Sequence, residues 1–417
     1  MRLCRFEDRL AGEAKVLSGL RQRITARSSA ELPAAFAAIR AAQSAGHWIA
    51  LMLDYELGEW FEPALQPTAP AAQTTPTTPT GAAPTHLKPR SRLTALVFDT
   101  STIEQPWGLN RVDDTETATE TKTETGTGTE TETRATTPAS ITSVSTSLSQ
   151  ADYFDRIHKI KEWIAQGEVY QINSTFALNV ATQGSAQDLY RQLANQHPSA
   201  HAAFIADDEQ TVLSFSPELF LQRRGSTLIT RPMKGTAPRS NDPLEDQRLG
   251  QRLQTSAKDR AENLMIVDLL RNDLGRIALP GSVVAEPLFS LEAYPSVWTM
   301  TSTIQATIAA ETSLEQILRA LFPCGSITGA PKIAAMKRIQ QTEAQARGLY
   351  CGSLGWLAPN GDFSLNVAIR TLLLEQDGSG LYHVGGGIVH DSVAALEWDE
   401  CHWKARIVMD KPEPTQP

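Results

Sequence analysis

The sequence predicts a layered α/β or α+β protein, and three observations carry that expectation. Strand-like runs (TLITRP, LYHVGGGIV, LNVAIRTLLL) interleave with helix-like ones (YFDRIHKIKEWIAQG, DRAENLMIVDLLRNDLG, SLEQILRALF). The 417 residues are 41% hydrophobic, ample for a large buried core. No repeat with a period of roughly 20–50 residues is visible, so a solenoid or propeller is not indicated.

The order along the chain divides it into three parts. Residues 1–112 form an N-terminal subregion, in which HWIALMLDYELGEWFEP reads as a strand running into a turn and an aromatic cluster. Within it, 64–90 holds six prolines and almost no large apolar residue, and reads as a loop. Residues 113–149 read as a low-complexity insert, with Thr at every second position from 115 to 133 and no apolar face to bury. Residues 150–410 form the large folded region. Its first helix, 152–166, places Tyr153, Phe154, Ile157, Ile160 and Ile164 at amphipathic spacing and ends at Gly167.

Charge and cysteines narrow the class further. A formal charge of −9 lacks the basic surface that nucleic acid requires. Cys4, Cys324, Cys351 and Cys401 lie far apart with no C-x-x-C pair, so neither a zinc knuckle nor a disulfide framework is expected. MRLCRFEDRL has no signal-peptide core, and no stretch approaches the length of a membrane span. A cytoplasmic protein is the expectation.

Two helices present acidic pairs. Asp259 and Glu262 are three apart and share a face; Glu397, Glu400 and Lys404 share another. A hard cation such as Mg²⁺ takes one or two carboxylates, water and an anionic substrate, which two such faces could supply. Two solvated helix faces would show the same spacing. In CGSITGAPK, Pro331 fits a first helical position with free amides ahead of it, or an ordinary Gly turn. In HVGGGIV, the glycines suggest close backbone approach to a ligand. Arg370, closing LNVAIR, fits a bidentate carboxylate clamp or a surface ion pair. Lys234 in RPMKGT is a nucleophile if its pKa is lowered, and Glu218 in FSPELF a general acid if its apolar neighbours raise its own.

In order, YQIN, FSPELF, PMKGT, SAKDRAENLMIVDLLRNDLGR, FPCGSITGAPK, RGLYCGSLGW, VAIRT, GGGIVHDS and EWDECHWKA resemble the chorismate-utilising enzymes. The resemblance is dense over 150–408 and looser at LDYELGEWFEP. It implies a sandwich of the anthranilate synthase component I type: two β-sheet layers, helices outside and the site between the sheets. It further implies Glu262 and Glu400 as direct Mg²⁺ ligands, with Asp259 and Glu397 behind them. Tyr350, Arg370, Gly385 and Lys404 resemble the binders of the chorismate carboxylates. Ser326 matches a ligand hydrogen-bonding position, and Glu218 the group that assists departure of the C4 hydroxyl.

Two positions select a branch. Water-adding members carry Lys where this chain has Gln171, which disfavours isochorismate and salicylate synthesis. Anthranilate synthases usually carry Ala where this chain has Lys234. That lysine resembles the nucleophile of the aminodeoxychorismate synthases and implies amination of chorismate at C4, with ammonia from a separate glutamine amidotransferase subunit. Anthranilate synthesis and a non-catalytic chorismate-binding subunit are the alternatives. One departure stands out: where the family often has a His, the stretch reads Val297-Trp298-Thr299, and Thr299 is no acid or base near neutral pH.

Overall fold

The computed structural model describes residues 3–65, 91–108, 138–294 and 297–409. Its helices are α1 (Leu32–Ser44), α2 (Leu57–Phe61), α3 (Gln150–Ala165), α4 (Ala186–Gln196), α5 (Pro243–Thr255), α6 (Ala257–Gly275), α7 (Leu314–Leu321), α8 (Lys332–Thr342) and α9 (Ala394–Met409). None of them is long and apolar enough to cross a membrane.

Among the described residues, the strands form one antiparallel ribbon of 17 and a separate sheet of three. One arm of the ribbon runs, by hydrogen-bonded neighbours, through Gln171–Gln183, Ser379–Ile388, Thr371–Leu374, Thr211–Ser216, His201–Ala206 and Leu3–Asp8. From there the pairing passes to Glu13–Ala26 and a second arm: Leu93–Glu104, Trp48–Leu53, Ser353–Leu357, Phe363–Val367, Leu219–Arg224, Thr227–Arg231 and Ile304–Thr307. The N-terminal strands therefore bridge the two arms.

The arms face each other, and helices cover their outer sides. A strand buried on both faces needs apolar residues at successive positions, as WIALML supplies. Ile49, Leu51 and Leu53 share the larger core with Phe36 and Ile39 of α1. Ala50 and Met52 join a second cluster with Leu96, Phe98 and Leu354 of their own arm and Ala203, Ile205, Val212 and Leu373 of the other. Leu189, Tyr190 and Leu193 of α4 lie in the larger core with Phe204, Leu213 and Phe215. The two expected layers are thus the two arms of a single ribbon.

Three local readings change. LNVAIRTLLL is two strands, Phe363–Val367 and Thr371–Leu374, because the chain leaves the second arm for the first between them, with Arg370 at φ 51°. Ser140–Thr146, inside the stretch 113–149 read as an insert, is a strand paired with Gln171–Gln183. Leu65, inside 64–90, is buried at the end of a short 3₁₀ turn. The readings of 66–90 and 109–137 lie outside the described residues. All four cysteines are buried free thiols.

Candidate active site

A cavity of about 340 Å³ lies between α6, α9, the three-stranded sheet and the place where the arms exchange chain. Eleven of the twelve residues singled out in the sequence line it: Glu218, Lys234, Asp259, Glu262, Ser326, Tyr350, Arg370, Gly385, Glu397, Glu400 and Lys404. The twelfth, Gln171, stands directly behind Gly387 of its wall. A Cβ on Gly387 would fall 2.5 Å from Gln171 Nε2 and 3.4 Å from Lys234 Nζ. Gln171 is 1% exposed, and neither amide atom has a hydrogen-bond partner. A buried polar group without a partner is costly, so an amide aimed here is suited to a ligand.

Lys234 owes its direction to a bulge. Met233–Pro238 pairs with Val297–Thr301, and the register slips between Met233 and Thr236, leaving Lys234 and Gly235 in the irregular stretch. Bulges re-aim side chains in this way. Burial lowers the Lys234 pKa from its ordinary value; Glu218 and Glu262 oppose that, and Lys404 adds to it. Although part of the side chain still meets solvent through the cavity, its surroundings are dense protein. Beside it, Thr299 donates to the Gly235 carbonyl at 3.3 Å.

Glu218 is buried between strands Thr211–Ser216 and Leu219–Arg224. Burial raises its pKa, while a hydrogen bond from Ser326, the charge of Lys234, the Met233 backbone N–H and Arg370 pull the other way. The Ser326 hydroxyl donates to Glu218 Oε1 at 2.7 Å. A raised carboxyl and a lowered amine in one cavity are shifted in the directions that an acid and a nucleophile need.

The acidic pairs arrive from opposite sides. Ser256 caps α6 by accepting from the Asp259 backbone N–H, which sets Asp259 and Glu262 in its first turns. Burial raises Glu262's pKa, opposed by Lys234 and by Lys258, whose Nζ is 4.0 Å from Glu262. On α9, Lys404 Nζ pairs with Glu400 at 2.7 Å and donates to the Gly385 carbonyl at 2.8 Å. Burial acts upward on Glu400, but Lys404 and Lys234 leave its pKa lowered, whereas burial raises Glu397's. Over Gly386, a Cβ would meet Glu397 Oε2, Lys404 Nζ and Glu400 Oε1 at 3.2, 3.8 and 3.9 Å. Among the described residues, no three His, Cys, Asp or Glu gather closely enough to hold a metal unaided. A carboxylate from each helix, completed by water and an anionic substrate, is the donor set Mg²⁺ accepts.

Tyr350 is buried and stacks on His383, ring centroids 5.2 Å apart and planes 13° from parallel. The cavity also exposes Asn173, Lys258, Tyr294 and Trp403, which sequence reasoning missed. Lys258 lies four residues before Glu262 and Trp403 three after Glu400, a helical spacing that could have found both. Pro331 caps α8 with extended backbone instead of occupying its first turn.

The family model for chorismate binding enzymes matches residues 5–410. The chain belongs to the chorismate-binding enzymes. Among curated relatives, aminodeoxychorismate synthase component 1 of Klebsiella aerogenes is 42% identical over 283 residues, 67% of this chain and 62% of that protein. Anthranilate synthase component 1 of Streptomyces coelicolor is 37% identical over 266 residues, 64% of this chain and 52% of that protein. The chain thus matches less than two thirds of these relatives' own length. The fold is that of the menaquinone-specific isochorismate synthase from Escherichia coli, with a TM-score of 0.70 at 17% identity, covering 98% of this chain and 89% of that one. In this chorismate-binding enzyme the motifs scattered through 150–410 meet at one cavity.

Proposed function

We propose that the chain aminates chorismate at C4 as an aminodeoxychorismate synthase component I, giving 4-amino-4-deoxychorismate for p-aminobenzoate and folate synthesis. The observation that carries this reading is Lys234, a lowered-pKa amine in the same cavity as the buried acid Glu218. The neutral Lys234 amine attacks C2 of the ring. The C1–C2 double bond shifts to C1–C6, the C5–C6 bond shifts to C4–C5, and the C4–O bond breaks. Glu218 gives its proton to the departing hydroxyl, which leaves as water. Ammonia then attacks C4, the double bonds return, and Lys234 leaves C2. Overall, chorismate and ammonia become aminodeoxychorismate and water.

The binding roles are those the resemblance to the family's motifs implies. Tyr350, Arg370, Gly385 and Lys404 bind the chorismate carboxylates, and Ser326 and Gln171 supply hydrogen bonds. Glu262 and Glu400 would hold Mg²⁺, with Asp259 and Glu397 beside them. The chemistry the ion would supply there is positive charge to offset an anionic carboxylate of the substrate. A separate glutamine amidotransferase supplies ammonia, and the buried free thiols suit a reducing cytoplasm.

The experiment is incubation with chorismate, Mg²⁺ and ammonium at alkaline pH, with products resolved by mass. Aminodeoxychorismate retains the enolpyruvyl group. Fluorescent anthranilate as the main product would instead support the second reading, which the Streptomyces coelicolor relative favours.

A further inference from the structure

Arg347 does not reach the cavity, yet it grips two segments that line it. Its side chain is 1% exposed. Nη2 donates to the Asn173 carbonyl at 2.7 Å and Nη1 to the Ile327 carbonyl at 3.1 Å. Nε and Nη2 also donate to the two oxygens of Glu343, each at 2.8 Å. Asn173 and Ile327 both face the cavity, on otherwise separate pieces of chain. Glu343 Oε1 in turn accepts from the backbone N–H and the hydroxyl of Thr175, both at 3.0 Å.

The N-terminal subregion secures the same node. The backbone N–H groups of Arg347 and Gly348 donate to Glu56 Oε1 and Oε2 at 2.7 and 3.1 Å. The guanidinium carbon lies 4.5 Å from the Tyr55 ring centroid. This gives the LDYELGEWFEP motif, otherwise remote from the chemistry, a physical connection to the site.

We propose that Arg347 is a positioning residue: by holding the Ile327 and Asn173 carbonyls together, it fixes the short turn Gly325–Ile327 so that Ser326 meets Glu218. The planar fork of arginine can serve two carbonyls and a carboxylate at once. Lysine, a single donor atom on a flexible stem, cannot. Freed of Arg347, two buried carbonyls lose their donors, and the turn must shift to find others. The inference rests on the aminating reading only for the choice of assay.

The test is a double-mutant cycle on wild type, Arg347→Lys, Ser326→Ala and the double variant. Arg347→Lys should keep a native near-UV spectrum and a cooperative melt while losing about tenfold or more in kcat/KM for chorismate. The double variant should fall within about twofold of Ser326→Ala alone, because the two act through one contact. Multiplying losses would overturn the proposal, since a merely structural arginine would weaken the enzyme independently of Ser326. Should Arg347→Lys not fold, Glu343→Gln, which weakens the hold on Arg347, takes its place in the same cycle under the same criterion. Arg5→Lys is the control, removing an equally buried arginine elsewhere; it should lower Tm and leave kcat/KM within about twofold. A wild type without ammonia-dependent turnover would sink the aminating reading alone. The cycle would then be scored on chorismate dissociation constants, where additive losses overturn the role of Arg347.

Discussion

Glu218 and Arg370 stand on adjacent crossovers of the same ribbon. At Glu218 the chain passes from the first arm to the second, and at Arg370 it returns. The crossovers are tied together: the Val367 N–H donates to the Glu218 carbonyl and the Phe215 N–H to the Arg370 carbonyl, both at 3.0 Å. The Glu218 carboxyl and the Arg370 guanidinium are thereby carried on backbone that is hydrogen-bonded from one crossover to the other, a support suited to preorganised chemistry.

Ser326→Ala should raise the Glu218 pKa further. Its hydrogen bond favours the carboxylate, so removing it favours the acid. Difference infrared spectroscopy, with Glu218→Gln as reference, should show the carboxylic C=O band persisting to higher pH in the variant. A band that titrates at the same pH in both proteins would mean that Ser326 does not tune the acid. Turnover should fall about tenfold, the loss of one hydrogen bond to a charged group.

Lys234→Ala should abolish aminodeoxychorismate formation while chorismate still binds. In the wild type, amine-reactive labelling of Lys234 should rise with pH at values below 10.5, ahead of exposed lysines, and chorismate should protect it. Incubation with chorismate but no ammonia should add chorismate less water to the Lys234 peptide. Normal production of aminodeoxychorismate by Lys234→Ala would sink the covalent route.

Glu400→Gln should raise the Mg²⁺ concentration needed for half-maximal turnover by about tenfold or more, since one ligand charge is lost. Chelation should abolish wild-type turnover, and Mg²⁺ restore it. An unchanged Mg²⁺ titration would remove Glu400 from the metal site.

Gly385→Ala and Gly387→Ala should fail differently. At Gly385 the new methyl would meet the Ser174 carbonyl oxygen at 2.4 Å, a backbone atom that cannot yield, so about 1–3 kcal/mol of stability should be lost. At Gly387 it would displace the tip of the Gln171 side chain, so activity should drop with little change in Tm. Equal melting losses would contradict the distinction.

The residues that meet at the cavity were legible because helical spacing and ordered motifs do not depend on tertiary context. Glu262 and Glu400, on long helices, are found where the pattern puts them. The crossover inside LNVAIRTLLL was not legible, because a ten-residue apolar run fits one long strand as well as two strands in different arms. Nor was the strand Ser140–Thr146, whose Ser and Thr residues lack an apolar face and follow a Thr-rich stretch. Asn173 escaped because its role comes from the partner strand, where it stands opposite Gly387. Arg347 opens the motif RGLYCGSLGW, yet by itself a charged residue beside a glycine reads as surface, and only the assembled fold buries it.

The strand order also governs how the protein is made. Leu53 pairs with Ser353, so this strand waits for a partner translated 300 residues later. Cys4 likewise pairs with Ile205, about 200 residues further along the chain. The nascent N-terminal segment therefore emerges with open, apolar edges whose partners do not yet exist, the situation that invites aggregation or chaperone capture. Contacts this distant in sequence make for slow closure. Because both crossovers form only when the ribbon closes, the catalytic geometry is among the last things to appear. Activity should thus lag behind secondary structure in refolding.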